Sequence, residues 1–167
     1  LCLQPCSLSW IEQGKPSVIV MNKWDLIEKD TKTINKFEEK LKIDLKFMDY
    51  FKSVYISAKT GQRVEKILNA AEEVYAHASF RVPTGELNDL IGDAIRLQEP
   101  PSYLGRRMRV FFSTQVSTCP PVFALFVNDE RLLHFSYERY LENTIRRAYD
   151  FSGTPIKIVV REKKDED

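Results

Sequence analysis

At 167 residues, 43% of them hydrophobic and 29% charged, the chain has the composition of a folded globular protein and is long enough to bury a real core, which excludes a disordered or fibrous one. Twenty-five basic side chains against twenty-four acidic ones leave a net charge of +1, so no bulk charge draws it to nucleic acid or anionic lipid. No apolar run approaches the roughly 18 residues of a membrane helix, Leu1 to Trp10 lack the regions of a signal peptide, and Cys2, Cys6 and Cys119 have no metal-ligand spacing, which suits a reducing compartment.

In chain order, Ser17-Val18-Ile19-Val20-Met21 is a continuous apolar run, as in a strand buried on both faces. Ile34, Phe37 and Leu41 recur at helical spacing, Val54-Tyr55-Ile56 is a second short strand, and Val64, Ile67, Leu68, Ala71, Val74, Tyr75 and Ala78 form an apolar helical stripe. Strand, helix, strand, helix implies parallel strands with a right-handed crossover, a partial α/β fold. Pro83 closes this part. The kind of cation changes there too: residues 1–80 hold eleven Lys and one Arg, residues 81–167 three Lys and ten Arg, and Arg's planar fork suits phosphate and RNA.

The second part reads as αββαβ, an α+β pattern. Thr84 is placed to cap a helix carrying Leu87, Leu90, Ile91 and Ala94, and Pro100-Pro101 stops it. Met108, Val110, Phe112, Thr114 and Val116 alternate as a strand, and Val122 to Val127 forms another, closed by Asn128-Asp129. Ser136 is the expected N-cap of a helix with Tyr137, Tyr140, Leu141, Ile145 and Ala148 on one face, with Phe135 stapled onto Tyr140. Gly153 and Pro155 end it, and Ile156, Ile158 and Val160 alternate in a last strand. The expected division is residues 1–12, 13–80, 81–162 and a charged tail from 163 to 167 that frays.

The sharpest chemical signal is Asn22-Lys23-Trp24-Asp25 directly after the first strand, followed by Ser57-Ala58-Lys59 after the second. In a parallel sheet both loops emerge at the carboxyl edge, where open α/β folds bind ligands. Their chemistry suits guanine. An ionised Asp25 can accept from N1–H and N2–H₂ together; the Ala58 backbone N–H can donate to O6; the Lys23 stem can cover the ring; the Asn22 amide can tie the loops together. An Asx-type turn leaving a strand is the structural alternative for Asn22 and Asp25. Arg106, Arg107 and Arg109 form a candidate phosphate-contact strip for RNA, with Arg146, Arg147 and Arg161 behind it, the alternative being a solvated face. Phe111 and Phe112 could stack bases, although strand alternation makes at least one of them core. His77 and His134 lack ligand partners at metal spacing, so no metal or catalytic residue is assigned.

The two motifs resemble the fourth and fifth motifs of Ras-like GTPase domains, and the resemblance spreads to nearly the whole chain. Lys15 to Leu26 and Ile56 to Val64 resemble the second G domain of the Der, or EngA, family of bacterial-type GTPases. Ser113 to Thr118, Phe126 to Asp129, His134 to Asn143 and Gly153 to Ile158 resemble the region after it. The resemblance implies the C-terminal portion of a G domain followed by a KH-like domain. It further implies GTP or GDP as ligand, Mg²⁺ in the full-length protein, the large ribosomal subunit or its RNA as partner, no membrane, and a bacterial cytosol or a plastid as location. Nucleotide binding would then fall to Asn22, Lys23, Asp25, Ser57, Ala58 and Lys59.

The sequence departs from the family in several respects. No Gly-x-x-x-x-Gly-Lys-Ser/Thr occurs, the Asp-x-x-Gly strings at Asp89 and Asp150 come after the guanine motif rather than before it, and no two glycines stand three apart as in an RNA-clamping KH loop. Only the guanine end of the nucleotide is served, so this chain alone is expected to be inactive. Leu1 to Trp10 do not resemble the family, as expected of a truncated or misjoined gene start. An exposed sheet edge is expected to favour self-association. The alternative function is a non-enzymatic RNA- or protein-docking module whose partial G domain is only structural.

Overall fold

The computed structural model describes residues 14–27, 33–45, 50–103 and 105–163. The expectations for the first twelve residues, for Cys2 and Cys6, and for the tail beyond Lys163 lie outside the described residues. The chain forms two compact units: Leu1–Ala78 with Phe151–Pro155, and Ser79–Asp150 with Ile156–Asp167.

The first unit is α/β. It contains β1 (Val18–Met21), α1 (Thr33–Asp44), β2 (Lys52–Tyr55) and α2 (Glu65–Ser79). β1 and β2 pair in parallel, from Val18 opposite Lys52 to Met21 opposite Tyr55. Val54, Ile56 and Ala70 form a buried cluster with Val18 and Ile67 packed against it. Two expectations change. β1 is half-buried rather than covered on both faces, and Val20 is 39% exposed, because among the described residues β1 has a strand on one edge only. On α2 the buried line is Ala70, Val74 and Ala78; Leu68 and Tyr75 face water. The apolar stripe is wider than the surface it has to meet.

Segment Phe151–Pro155 belongs to this unit and is held tightly. The Gly153 N–H donates to the Tyr50 carbonyl at 2.6 Å, and its carbonyl accepts from Ser17 N–H at 2.8 Å. Phe151 and Thr154 are buried.

The second unit is α+β. Its elements are α3 (Thr84–Leu97), the short hairpin β3 (Ser102–Tyr103) and β4 (Arg106–Arg107), then β5 (Val110–Ser117), β6 (Val122–Val127), α4 (Phe135–Ala148) and β7 (Lys157–Glu162). The sheet order is β5-β6-β7, with β5 and β6 antiparallel and β6 and β7 parallel. α4 supplies the long connection that a parallel pair requires. Leu87 and Ile91 of α3, Leu141 and Ile145 of α4, and Phe123, Leu125 and Val127 of β6 form the core.

β5 alternates as expected but in the opposite phase. Its buried residues are the polar Ser113 and Gln115, while Phe112 and Val116 are 42% and 47% exposed. The inversion is stable because every buried polar group finds a partner. Asn88 Oδ1 accepts from Ser113 N–H at 2.7 Å, and Asn88 Nδ2 donates to the Ser113 carbonyl at 3.0 Å. Gln115 Oε1 accepts from Val82 N–H at 2.7 Å, and its Nε2 donates to the Phe80 carbonyl at 3.0 Å. A register shift between Val110 and Phe112 turns Phe111 outward as well, so neither phenyl is core. Gln115→Leu keeps the volume but removes the partner of the buried Val82 N–H and a donor to the part-buried Phe80 carbonyl. We expect a loss of about 1–3 kcal/mol, read as a lower urea midpoint with unchanged slope.

Two caps also differ from expectation. Thr84 lies inside α3, behind an N-cap at Pro83 that makes no side-chain bond. α4 is capped by His134, whose Nδ1 accepts from Ser136 N–H at 3.3 Å, and Phe135 stays 67% exposed with the Arg139 guanidinium over its ring rather than stapled to Tyr140. An imidazole nitrogen performs the task of a Ser oxygen here.

Candidate guanine-recognition site

The first unit's ladder runs on past its strands. Ile56 N–H donates to the Met21 carbonyl, and Trp24 N–H donates to the Ile56 carbonyl, both at 2.9 Å. This holds the Asn22–Asp25 turn beside the Ser57–Lys59 turn at the carboxyl edge of the parallel pair. Asn22 closes the link: its Oδ1 accepts from Lys23 N–H at 2.7 Å and from Ala58 N–H at 3.0 Å, a contact across 36 positions.

Lys23 adopts a left-handed conformation (φ 63°), which costs a non-glycine residue about 1–2 kcal/mol. Trp24, the next residue, is anchored in the core. Its ring is 97% buried, with centroids 5.5 Å from Phe37 and 4.5 Å from Tyr55. Trp24 fills the variable position of the motif and was not singled out from the sequence. A large aromatic beginning a polar turn is the signal that could have found it. Asp25 follows in a 3-10 turn (Trp24–Leu26), half-buried, while Asn22, Lys23, Ala58 and Lys59 are exposed.

Ser57 is different. It is fully buried, its Oγ accepts from Thr60 N–H at 3.3 Å, and its N–H donates to the Gln62 carbonyl at 3.1 Å. Its side chain shapes the turn from within. Gly61 (φ 75°) completes the bend in the left-handed region that glycine tolerates. The exposed rim of the site is therefore Asn22, Lys23, Ala58 and Lys59, with the half-buried Asp25 behind it. A base oxygen arriving at Ala58 N–H would share that donor with Asn22.

The arginine strip lies in the second unit. Arg106 and Arg107 form β4, Arg109 follows, and all three are exposed. Arg107 is ion-paired with Glu99, and Arg146 with Glu142 at 3.0 Å, so part of that charge is already matched.

Residues 81–161 match a family model described as KH-domain-like of EngA bacterial GTPase enzymes, C-terminal. The chain is 51% identical over 154 residues to GTPase Der of Clostridium tetani (strain Massachusetts / E88), covering 92% of this chain and 35% of that protein. It is 49% identical over 156 residues to GTPase Der of Alkaliphilus metalliredigens (strain QYMF), covering 93% and 36% respectively. The chain matches the C-terminal part of GTPase Der. It spans about a third of the length of these Der proteins. The second unit's αββαβ order is the KH-like domain that the Der resemblance implied.

The resemblance places Mg²⁺ in the full-length protein rather than in this chain. No group of three or more His, Cys, Asp or Glu gathers among the described residues, and the sequence holds no phosphate-cradling loop. No helix among the described residues is long and apolar enough to cross a membrane.

Proposed function

We propose that this chain carries the guanine-reading and KH-like part of a GTP-binding protein of the Der type that acts in assembly of the large ribosomal subunit in a bacterial cytoplasm. The observation that carries the reading is the Asn22 bridge, which holds Asp25 and Ala58 at one sheet edge. Asp25 accepts the two guanine donors, Ala58 N–H serves O6, and the Lys23 and Lys59 stems flank the ring. The 51% identity with a GTPase Der supports the assignment.

The base slot offers about two charged hydrogen bonds and one neutral one against an association cost of roughly 4–15 kcal/mol, so GDP binds this chain with about millimolar affinity at best. Amide NMR titration tests the reading. GDP at millimolar concentration is expected to shift the Ala58, Lys59 and Asp25 resonances, and ADP is not. Asp25→Asn removes an acceptor facing two donors and is expected to weaken GDP at least about tenfold while admitting xanthosine diphosphate. Equal shifts with ADP, or a mutant that binds GDP as the wild type does, would show that Asp25 does not read the base.

A further inference from the structure

We propose that the free edge of β2 takes up a short, extended, acidic segment of a partner protein as a third strand of the first unit's sheet. Ile56 N–H donates to the Met21 carbonyl, which fixes the phase of the ladder. In a parallel pair the main-chain groups of successive residues point to opposite edges. Lys52, Val54 and Ile56 therefore turn theirs toward β1, and Ser53, Tyr55 and Ser57 turn theirs away. At Ser57 the outward place is filled. Gln62 pairs with it antiparallel, and its carbonyl accepts from Ser57 N–H. The chain then leaves the edge, because Arg63 (φ 60°) turns it into α2. The backbone N–H and C=O groups of Ser53 and Tyr55 have no partner among the described residues. The edge thus offers two donors and two acceptors in alternation. An anion would satisfy only the donors, whereas a peptide backbone satisfies both.

This edge opens on a groove of about 350 Å³ between β2 and α2. Ser53, Val54 and Tyr55 line one side; Lys66, Asn69 and Ala70, at helical spacing, line the other. Lys52 and Glu73 meet across one end in an ion pair at 2.7 Å. Arg63 and Lys66, also in the lining, make no ion pair among the described residues. The groove therefore keeps two unmatched cations and no unmatched anion, which selects carboxylates on the side of the incoming strand that faces α2. The same charges exclude a second copy of this chain as the occupant. Pairing two such edges would bring Arg63 and Lys66 against their own kind, as edge cations do wherever they block self-pairing. The open run from Ser53 to Tyr55 spans roughly 10 Å at about 3.3 Å per residue, and Gln62 occupies the next place, so the segment that fits is short.

Amide NMR titration of the whole chain with the peptide acetyl-Glu-Val-Glu-Val-Glu-amide, guanine nucleotide absent, tests the proposal. Saturable shifts of the Ser53 and Tyr55 amides are expected, with a dissociation constant at or below about 1 mM. The same peptide N-methylated at its three central residues cannot donate to the edge carbonyls and should bind at least about tenfold more weakly. Lys66→Glu, at an exposed position, should weaken the acidic peptide at least about threefold. Arg63→Gly, which keeps the left-handed turn accessible, should do the same. Acetyl-Lys-Val-Lys-Val-Lys-amide should leave both amides unmoved. Absence of shifts at Ser53 and Tyr55 up to about 5 mM peptide, equal binding of the methylated or the lysine peptide, or indifference to both substitutions would overturn it. So would shifts of the two amides that grow with protein concentration alone, the mark of self-pairing, or an RNA 10-mer that moves them as far as the peptide does. Because guanine nucleotide is left out, failure here leaves the Asp25 test intact, and the converse holds.

Discussion

Leu141→Asp is expected to unfold the second unit at neutral pH. Leu141 is fully buried on α4, in line with Tyr137 and Ile145 and among the largest side chains of the core. The nearby Tyr137 phenol already donates to the Gln98 carbonyl at 2.8 Å, and burial, with a smaller push from Tyr140, raises its pKa to about 12. An uncompensated buried carboxylate costs several kcal/mol, on the order of 3–5, out of the roughly 5–15 kcal/mol that holds a typical domain. The new carboxyl would escape part of that cost by protonating. Its folded pKa therefore lies above the unfolded value of about 3.9, so the variant loses stability as pH rises past that value and regains some as pH falls back toward 4. Leu141→Ala, which leaves only a cavity, should lose about 2–5 kcal/mol with no such pH dependence. Circular dichroism melts at pH 4 and pH 7 separate the two. A wild-type melt for Leu141→Asp would show this side of α4 to be wet.

Gly153→Ala is expected to be far more damaging than the same change at Gly61, Gly85, Gly92 or Gly105, where an added Cβ meets nothing. The residue has φ 73°, and an added Cβ would overlap both methyl groups of Val74 and come within 3.0 Å of the Ser17 carbonyl oxygen. The left-handed conformation costs about 1–2 kcal/mol and overpacking about 1–3 kcal/mol. The melting temperature of the first unit should fall by at least about 8 °C. Val74→Ala in the same chain removes the overlap but not the backbone strain. The double variant should therefore lose less than the two single losses added together. A strictly additive pair would mean that Val74 is not what Gly153 makes room for.

The order of elements was legible because each part has a distinct period: a solid apolar run for β1, helical spacing for α1 to α4, alternation for β5 and β7. The Asn22–Asp25 and Ser57–Lys59 turns were legible for a local reason, since short polar side chains directly after a buried strand leave few other conformations. The phase of β5 was not. Alternation shows that two faces differ, but which of them is dry depends on the partner across it. Asn88, 25 residues away, makes Ser113 a good inward residue. The His134 cap was hidden for another reason: Ser136 is the better N-cap by type, yet the chain enters α4 two residues earlier. Trp24 is not legible from the motif because it occupies the variable position, and its burial depends on Phe37 and Tyr55, which lie far along the chain.

The path of the backbone bears on how the molecule can be dissected. The chain changes unit three times, after Ala78, after Asp150 and after Pro155. A gene segment cut at Pro83 would code for a first half without Phe151–Pro155. In that half the Ser17 N–H and the Tyr50 carbonyl lose the Gly153 groups that satisfy them. The KH-like match across residues 81–161 takes in those five residues as though they were its own. Neither half is therefore a clean module for cloning. A faithful version of the first would need Phe151–Pro155 supplied as a separate peptide or grafted on through a linker.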